Sequence, residues 1–172
     1  MLGIKYFPQK LNIEGKRLIV RVDLNVPLKD KKIQDPTRIL QVLPFLQDLI
    51  KRKSKIILIS HLGRPKGVRN SDLSLLPIYR YLKEKLNTNM YFYTGEIKNE
   101  VKTKCSYLKE GEILLIENIR FFKEEAENNE NFAKKLGELG DIYINDAFSC
   151  SHRKHSSIYS ITKFVKEIYA GP

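Results

Sequence analysis

Five short apolar runs punctuate the chain, near residues 17–23, 55–60, 90–93, 113–117 and 141–146. Each is bounded by polar or turn-forming residues, as buried parallel strands are. Between them, apolar positions recur at helical spacing. After Pro36, the residues Ile39, Val42, Leu43, Leu46, Leu49 and Ile50 trace one face. Pro36 suits a first helical turn following Asp35, and Pro44, inside the pattern, is expected to kink or locally distort that helix. Ser74 to Leu86 presents Leu75, Ile78, Tyr79, Leu82 and Leu86 on one side, and "EIKNEVKTKCSYL" reads as a weaker helix. Lys123 to Leu139 starts acidic, ends with a Lys pair, and carries Phe132, Ala133, Leu136 and Leu139 on one face, so it reads as a single helix. Strands alternating with helices predict right-handed βαβ units. The expected fold is a three-layer, Rossmann-like α/β domain, with a mainly parallel sheet and helices on both faces. The final "ITKFVKEIYAGP" reads as helical or turn-like, with no closing element.

Four of the runs end in clusters of polar and charged residues. The first reaches Asp23 and Asn25; the second reaches Ser60, His61 and Arg64. The third reaches Glu117, Asn118 and Arg120; the last reaches Asn145, Asp146, His152 and Arg153. In an open α/β sheet, ligands sit beyond the carboxyl ends of the strands. Three clusters contribute an Arg, so the ligand expected there is an anion. Asp23 and Asn25 suit a substrate hydroxyl, and Asp146 is a candidate partner for an Arg. Turn or helix capping is the alternative for each of these three residues.

Composition narrows the classes. The 172 residues are 42% apolar and 30% charged, which is globular, and no run nears the length of a membrane span. Met1 to Leu18 has no apolar core segment, so no secretory signal is expected and the cytoplasm is the default compartment. Cys105 and Cys150 form no C-x-x-C and read as reduced thiols. The net charge of +11 admits a nucleic-acid-binding module. Most of that charge, however, is Lys in mixed helical stretches, the pattern of solvated faces. Arg38, Arg64, Arg120 and Arg153 lie at or just after apolar runs, where a planar fork suits phosphate or carboxylate.

"SHLGRPKG" is the sharpest local motif. Gly63 and Gly67 admit turn conformations closed to other residues, and His61, Arg64 and Lys66 load that turn with donors. "HRKHSS" holds His152 and His155, but neither Cys nor a carboxylate set accompanies them, so no metal site is expected. There is no G-x-G-x-x-G, no P-loop and no G-x-S-x-G elbow. The residues by themselves thus give an anion crevice without recognisable nucleotide or nucleophile machinery, and leave open a stand-alone anion-binding domain and a basic nucleic-acid-binding module.

The segments "RVDLNVP", "DPTRI", "SHLGRPKG", "ENIRFFKEE" and "INDAFSCSHRKHSS", in that order, resemble the N-terminal half of the phosphoglycerate kinase family. The resemblance spans about residues 4 to 165. It implies a kinase of two α/β lobes that exchanges a phosphoryl group between 1,3-bisphosphoglycerate and ADP, giving 3-phosphoglycerate and ATP in glycolysis. Residues 1–172 would be its N-terminal, phosphoglycerate-binding domain. The resemblance implies a substrate set of Asp23, Leu24, Asn25, Arg38, His61, Leu62, Gly63, Arg64, Arg120 and Arg153, with Arg38 also catalytic. The cofactor, Mg-ADP or Mg-ATP, would belong to a C-terminal lobe absent from these residues. No cofactor site and no metal site are expected within them. The expected partners are 3-phosphoglycerate or 1,3-bisphosphoglycerate and the missing lobe, with no nucleic acid or membrane, and the chain is expected to be a monomer without turnover of its own. Ser149 and Cys150 depart from the small-residue, Gly-containing turn usual in the family.

Overall fold

In the computed structural model, which describes residues 4–172, all five apolar runs are strands. β1 (Arg17–Val22) is followed by a minimal hairpin of β2 (Leu28–Lys29) and β3 (Lys32–Ile33). Asp30 and Lys31 turn that hairpin with φ of 50° and 60°, the left-handed pair that a tight two-residue loop requires. Then come α1 (Thr37–Lys51), β4 (Lys55–Ile59), α2 (Leu76–Lys85), β5 (Met90–Tyr93) and α3 (Asn99–Ser106). β6 (Ile113–Ile116), α4 (Lys123–Ala126), α5 (Glu130–Gly137), β7 (Ile142–Asp146) and β8 (Glu167–Ala170) complete the order.

The six main strands form one sheet in the order β5-β6-β4-β1-β7-β8, with every pair parallel. Alternation along β1 sorts the core into two layers. Leu18, Val20 and Val22 pack with Ile39, Leu46 and Leu49 of α1 and Ile78 and Leu82 of α2. Ile19 packs on the opposite face with Val101 and Cys105 of α3 and Phe132, Ala133 and Leu136 of α5. This is the expected three-layer α/β architecture. The chain leaves β1 toward β4 on one side and leaves β7 toward β8 on the other. The gap between the carboxyl ends of β1 and β7 is therefore the topological switch point, where open α/β sheets hold ligands.

Two local expectations need correction, while at the Pro44 position α1 continues, with the proline on the exposed side of the helix. There the carbonyl four residues earlier, left without its donor, can turn to water. Lys123–Leu139 is two helices, not one. Asn128 adopts φ 52°, and Asn129 caps α5 by accepting from the Phe132 N–H at 2.9 Å. Ser156 holds the break from outside, its Oγ–H shared between the carbonyls of Glu124 at 2.9 Å and Asn129 at 3.1 Å. Finally, the chain does have a closing element: β8 pairs with β7, and Tyr6 bridges to Ala170 beyond it. No helix among the described residues is long and apolar enough to cross a membrane.

Candidate anion site at the strand ends

The polar clusters do meet, and backbone geometry brings them together. Beyond β1, Asp23 and Asn25 face the turn after β4. Asn25 Oδ1 accepts from the Gly63 N–H at 3.0 Å, and the Gly63 carbonyl accepts from Arg120 Nη1 at 2.9 Å. Gly63 has φ +61°, and a Cβ there would lie 2.7 Å from Leu73 Cδ2. Arg38, in the first turn of α1, donates from Nη1 to both Asp23 oxygens, at 3.2 and 3.0 Å, and to the Asn25 carbonyl at 3.2 Å. From beyond β7, Ser149 Oγ donates to Asp23 Oδ2, and Cys150 Sγ lies 3.7 Å from Nδ1 of His61. Asp23, Asn25, Arg38, His61, Gly63 and Arg120 thus belong to one continuous network. Asp23, Arg38, Gln41, Val42, Asp146, Phe148, Ser149 and Pro172 line a cleft of about 340 Å³ beside it. A roomier cleft of about 530 Å³ at the β5 edge, lined by Tyr79, Tyr91, Phe92 and Tyr107, contains none of the strand-end residues.

Beneath this network lies a layer that the sequence patterning missed. Arg21 shares the parity of Ile19 on β1, so it points into the face covered by α3 and α5, and it is fully buried. It donates from Nε to Ser157 Oγ at 3.0 Å, from Nη1 to the Val22 carbonyl at 2.7 Å, and from Nη2 to His61 Nδ1 at 3.0 Å. Ser157 in turn donates from Oγ and N–H to the carboxylate of Glu125, which is also fully buried. Burial pushes the Glu125 carboxyl up, and the nearby Arg21 charge and the Ser157 bonds pull it back. The signal available in sequence was an Arg inside an apolar strand, a position where charge is rare unless paired.

The cations dominate the electrostatics. Burial pushes the His61 imidazole down to about 3, with Arg21 and Arg120 adding to the effect. His155 falls to about 4, again through burial and then through Arg120, Arg153 and Arg21. Burial also lowers the Arg120 guanidinium, and neighbouring Arg21 and Arg153 act in the same direction. Arg120 Nε and His155 Nδ1 are buried atoms without a hydrogen-bond partner among the described residues. Asp23 behaves oppositely. Burial would raise it, but Ser149, the Asn25 N–H and Arg38 together hold it below the usual carboxylate value.

Other expected residues take structural roles. Leu24 and Leu62 are buried, and their N–H groups are already bonded to Ser60 Oγ and Asn118 Oδ1, so neither offers a free amide. Asn118 also donates to the carbonyls of Leu62 and Leu73, and Glu117 accepts from Ser74 and Leu75 at the entry to α2. Asp146 does not pair with an Arg. It packs against Gly171, where a Cβ would lie within 3 Å of its carboxyl group, and burial raises it to about 6. Arg64, Arg153 and His152 are exposed. Arg153 is tied to the site by its N–H, which donates to the Cys150 carbonyl at 3.0 Å.

Known proteins resemble this chain over most of its length. Residues 9–172 match the family model for phosphoglycerate kinase. The chain is 47% identical over 163 residues to the phosphoglycerate kinase of Wolbachia pipientis wMel, covering 95% of this chain and 40% of that protein. It is 47% identical over 165 residues to that of Buchnera aphidicola subsp. Schizaphis graminum, covering 95% and 41%. The solved phosphoglycerate kinase of Coxiella burnetii superposes with a TM-score of 0.86 at 38% identity, over 95% of this chain and 40% of that one. The Pyrococcus horikoshii enzyme gives 0.85 at 30% identity, over 96% and 42%. The chain spans about two fifths of the length of these relatives. With a family match across nearly all its residues, this chain belongs to the phosphoglycerate kinase family.

Proposed function

We propose that the chain is the phosphoglycerate-binding domain of a two-domain kinase that moves a phosphoryl group between 1,3-bisphosphoglycerate and ADP, giving 3-phosphoglycerate and ATP. The observation that carries this reading is a cationic patch left unbalanced from within. Arg120 and Arg153 stand close enough to repel, neither has a carboxylate in an ion pair among the described residues, and Arg120 Nε is buried without an acceptor. An anion would supply what is missing. 3-Phosphoglycerate carries roughly −1.5 to −2 on its phosphate near neutral pH, and a carboxylate besides.

In this reading, Arg64, Arg120 and Arg153 hold the phosphate that does not react, where forked, charge-assisted bonds fix orientation as well as charge. His61 contributes a neutral N–H. Asp23 and Asn25 meet the glycerate hydroxyl. Arg38, half exposed at the cleft edge, is the catalytic residue and faces the reacting end. Phosphoryl transfer depends on positioning and on stabilising charge over the equatorial oxygens, and a second domain closing over the cleft would exclude water as a competing acceptor.

The absence of a G-x-G-x-x-G and of a P-loop from the strand-end turns supports placing the nucleotide outside them. Mg-ADP or Mg-ATP is therefore assigned to no residue of this chain, and the 172 residues alone are expected to show no turnover in a coupled assay.

The test is an NMR titration of this chain. 3-Phosphoglycerate should perturb signals at 23–25, 38, 61–64, 120 and 153, and ATP should not do so with comparable affinity. Shifts concentrated on the Lys-bearing helices would sink the assignment.

A further inference from the structure

Both oxygens of the Asp23 carboxylate are engaged in the free chain. Oδ1 accepts from the Asn25 N–H at 3.0 Å and from Arg38 Nη1 at 3.2 Å. Oδ2 accepts from Arg38 Nη1 at 3.0 Å and from Ser149 Oγ. Three donors, the Asn25 N–H, Arg38 Nη1 shared between both oxygens, and the Ser149 hydroxyl, thus crowd a carboxylate that offers about four lone-pair directions. A ligand hydroxyl that approaches Oδ2 from the β7 side of the cleft must displace the Ser149 hydroxyl.

The donors are not equally displaceable. The Asn25 N–H is backbone, held two residues away in the chain. Arg38 is charged and grips both carboxylate oxygens and the Asn25 carbonyl at once. Ser149 is the neutral donor, on an exposed side chain that water can rehydrate. It arrives from beyond β7, whereas Asp23 stands beyond β1, so the bond crosses the mouth of the switch-point cleft that both residues line.

We propose that Ser149 is a built-in stand-in for the substrate hydroxyl: its hydroxyl occupies the Asp23 acceptor that the glycerate hydroxyl takes, and it must turn away when substrate binds. The inference rests on the phosphoglycerate reading of the site. It makes Ser149 a determinant of affinity and of hydroxyl selectivity, not a group that touches the reacting atoms. It also links occupancy of Asp23 to the turn that places Cys150 against His61 and leads into Arg153. Displacement exchanges one hydrogen bond for another, so the ligand gains less from its hydroxyl than it would at an open carboxylate. A net hydrogen bond contributes about 1 kcal/mol, which is roughly a fivefold difference in Kd.

The test is calorimetry on this chain with two ligands: 3-phosphoglycerate, and the same phosphocarboxylate lacking the 2-hydroxyl. Ser149→Ala should bind 3-phosphoglycerate about fivefold more tightly than the unmodified chain. It should show no gain for the deoxy ligand. Ser149→Thr, which keeps a hydroxyl, should behave like the unmodified chain. Equal or weaker binding of 3-phosphoglycerate by Ser149→Ala would overturn the inference, because it would make Ser149 neutral or supportive. An equal gain for both ligands would also overturn it, by pointing to relief of crowding. If the unmodified chain binds neither ligand, the phosphoglycerate reading itself fails, so the two failures are distinguishable.

Discussion

Arg21 donates from Nη2 to Nδ1 of His61 at 3.0 Å, and this contact decides which nitrogen of the imidazole carries the proton. A guanidinium only donates, so Nδ1 must be the acceptor and the ring proton must sit on Nε2. Burial, reinforced by Arg21 and Arg120, keeps the ring neutral down to about pH 3. His61 is expected to appear as the Nε2–H tautomer in long-range ¹H–¹⁵N spectra, with no titration between pH 5 and 8. A midpoint inside that range would contradict the arrangement.

The Arg21–Ser157–Glu125 chain fixes the floor of the site. Glu125 is the carboxylate that answers a fully buried Arg21, through Ser157. Removing one partner of a buried charged set leaves the other uncompensated, at a typical cost of about 3–5 kcal/mol. Glu125→Ala should lose stability on that scale in urea unfolding, and should weaken phosphoglycerate binding even though Glu125 lies beneath the cleft. A loss below about 1 kcal/mol, the scale of a surface pair, would mean that the chain carries little of the site's order.

Acid stability should reflect opposed groups. His61 and His155 have folded values of about 3 and about 4, against 6.5 when unfolded. The unfolded state therefore binds more protons below about pH 6.5, and their contribution is lost as pH falls through that window. Asp146, at about 6 against 3.8, works the other way: its protonated folded form favours stability at low pH, and that contribution is lost as pH rises through 6. Asp146→Asn should thus steepen the loss of stability between pH 6.5 and 4. Urea midpoints across that range decide it, and a shallower profile would refute the assignment.

Arg38 should matter more for rate than for binding in the full-length enzyme. It stands at the cleft edge, anchored on Asp23, whereas Arg64, Arg120 and Arg153 are assigned to the remote phosphate. Contacts made mainly in the transition state lower kcat, and uniform contacts raise KM. Arg38→Ala should cost about 10²–10³ in kcat. Arg38→Lys should also be impaired in kcat, since it keeps the charge without the fork. Arg64→Ala should mainly raise KM. If Arg38→Ala leaves kcat near wild type, the role is wrong.

Much of this was legible along the chain because it is local. Short apolar runs bounded by turn residues mark strands wherever they fall, and the periodicity over Ile39–Ile50 marks α1. Polar residues at strand ends must converge once the strands are parallel in one sheet, so Asp23, Asn25, His61 and Arg120 could be grouped before any coordinates. Cationic character at those ends also pointed to an anion without knowledge of a single distance.

What only the tertiary structure decided depends on partners far away in sequence. Arg21 looked like a charge interrupting a strand; its parity on β1 and its bond to Ser157, 136 residues later, make it the floor of the site. Lys123–Leu139 carries a helical pattern throughout, but Asn128, the Asn129 cap and Ser156 divide it. Glu167–Ala170 is too short and mixed to declare itself a strand, and becomes one because β7 offers an open edge. Asp146 had cations nearby in sequence but folds away from them, against Gly171. Ser149 on Asp23 joins residues 126 apart. Periodicity records which face of an element is apolar; it carries no information about which polar atom, on which distant loop, completes a buried hydrogen bond.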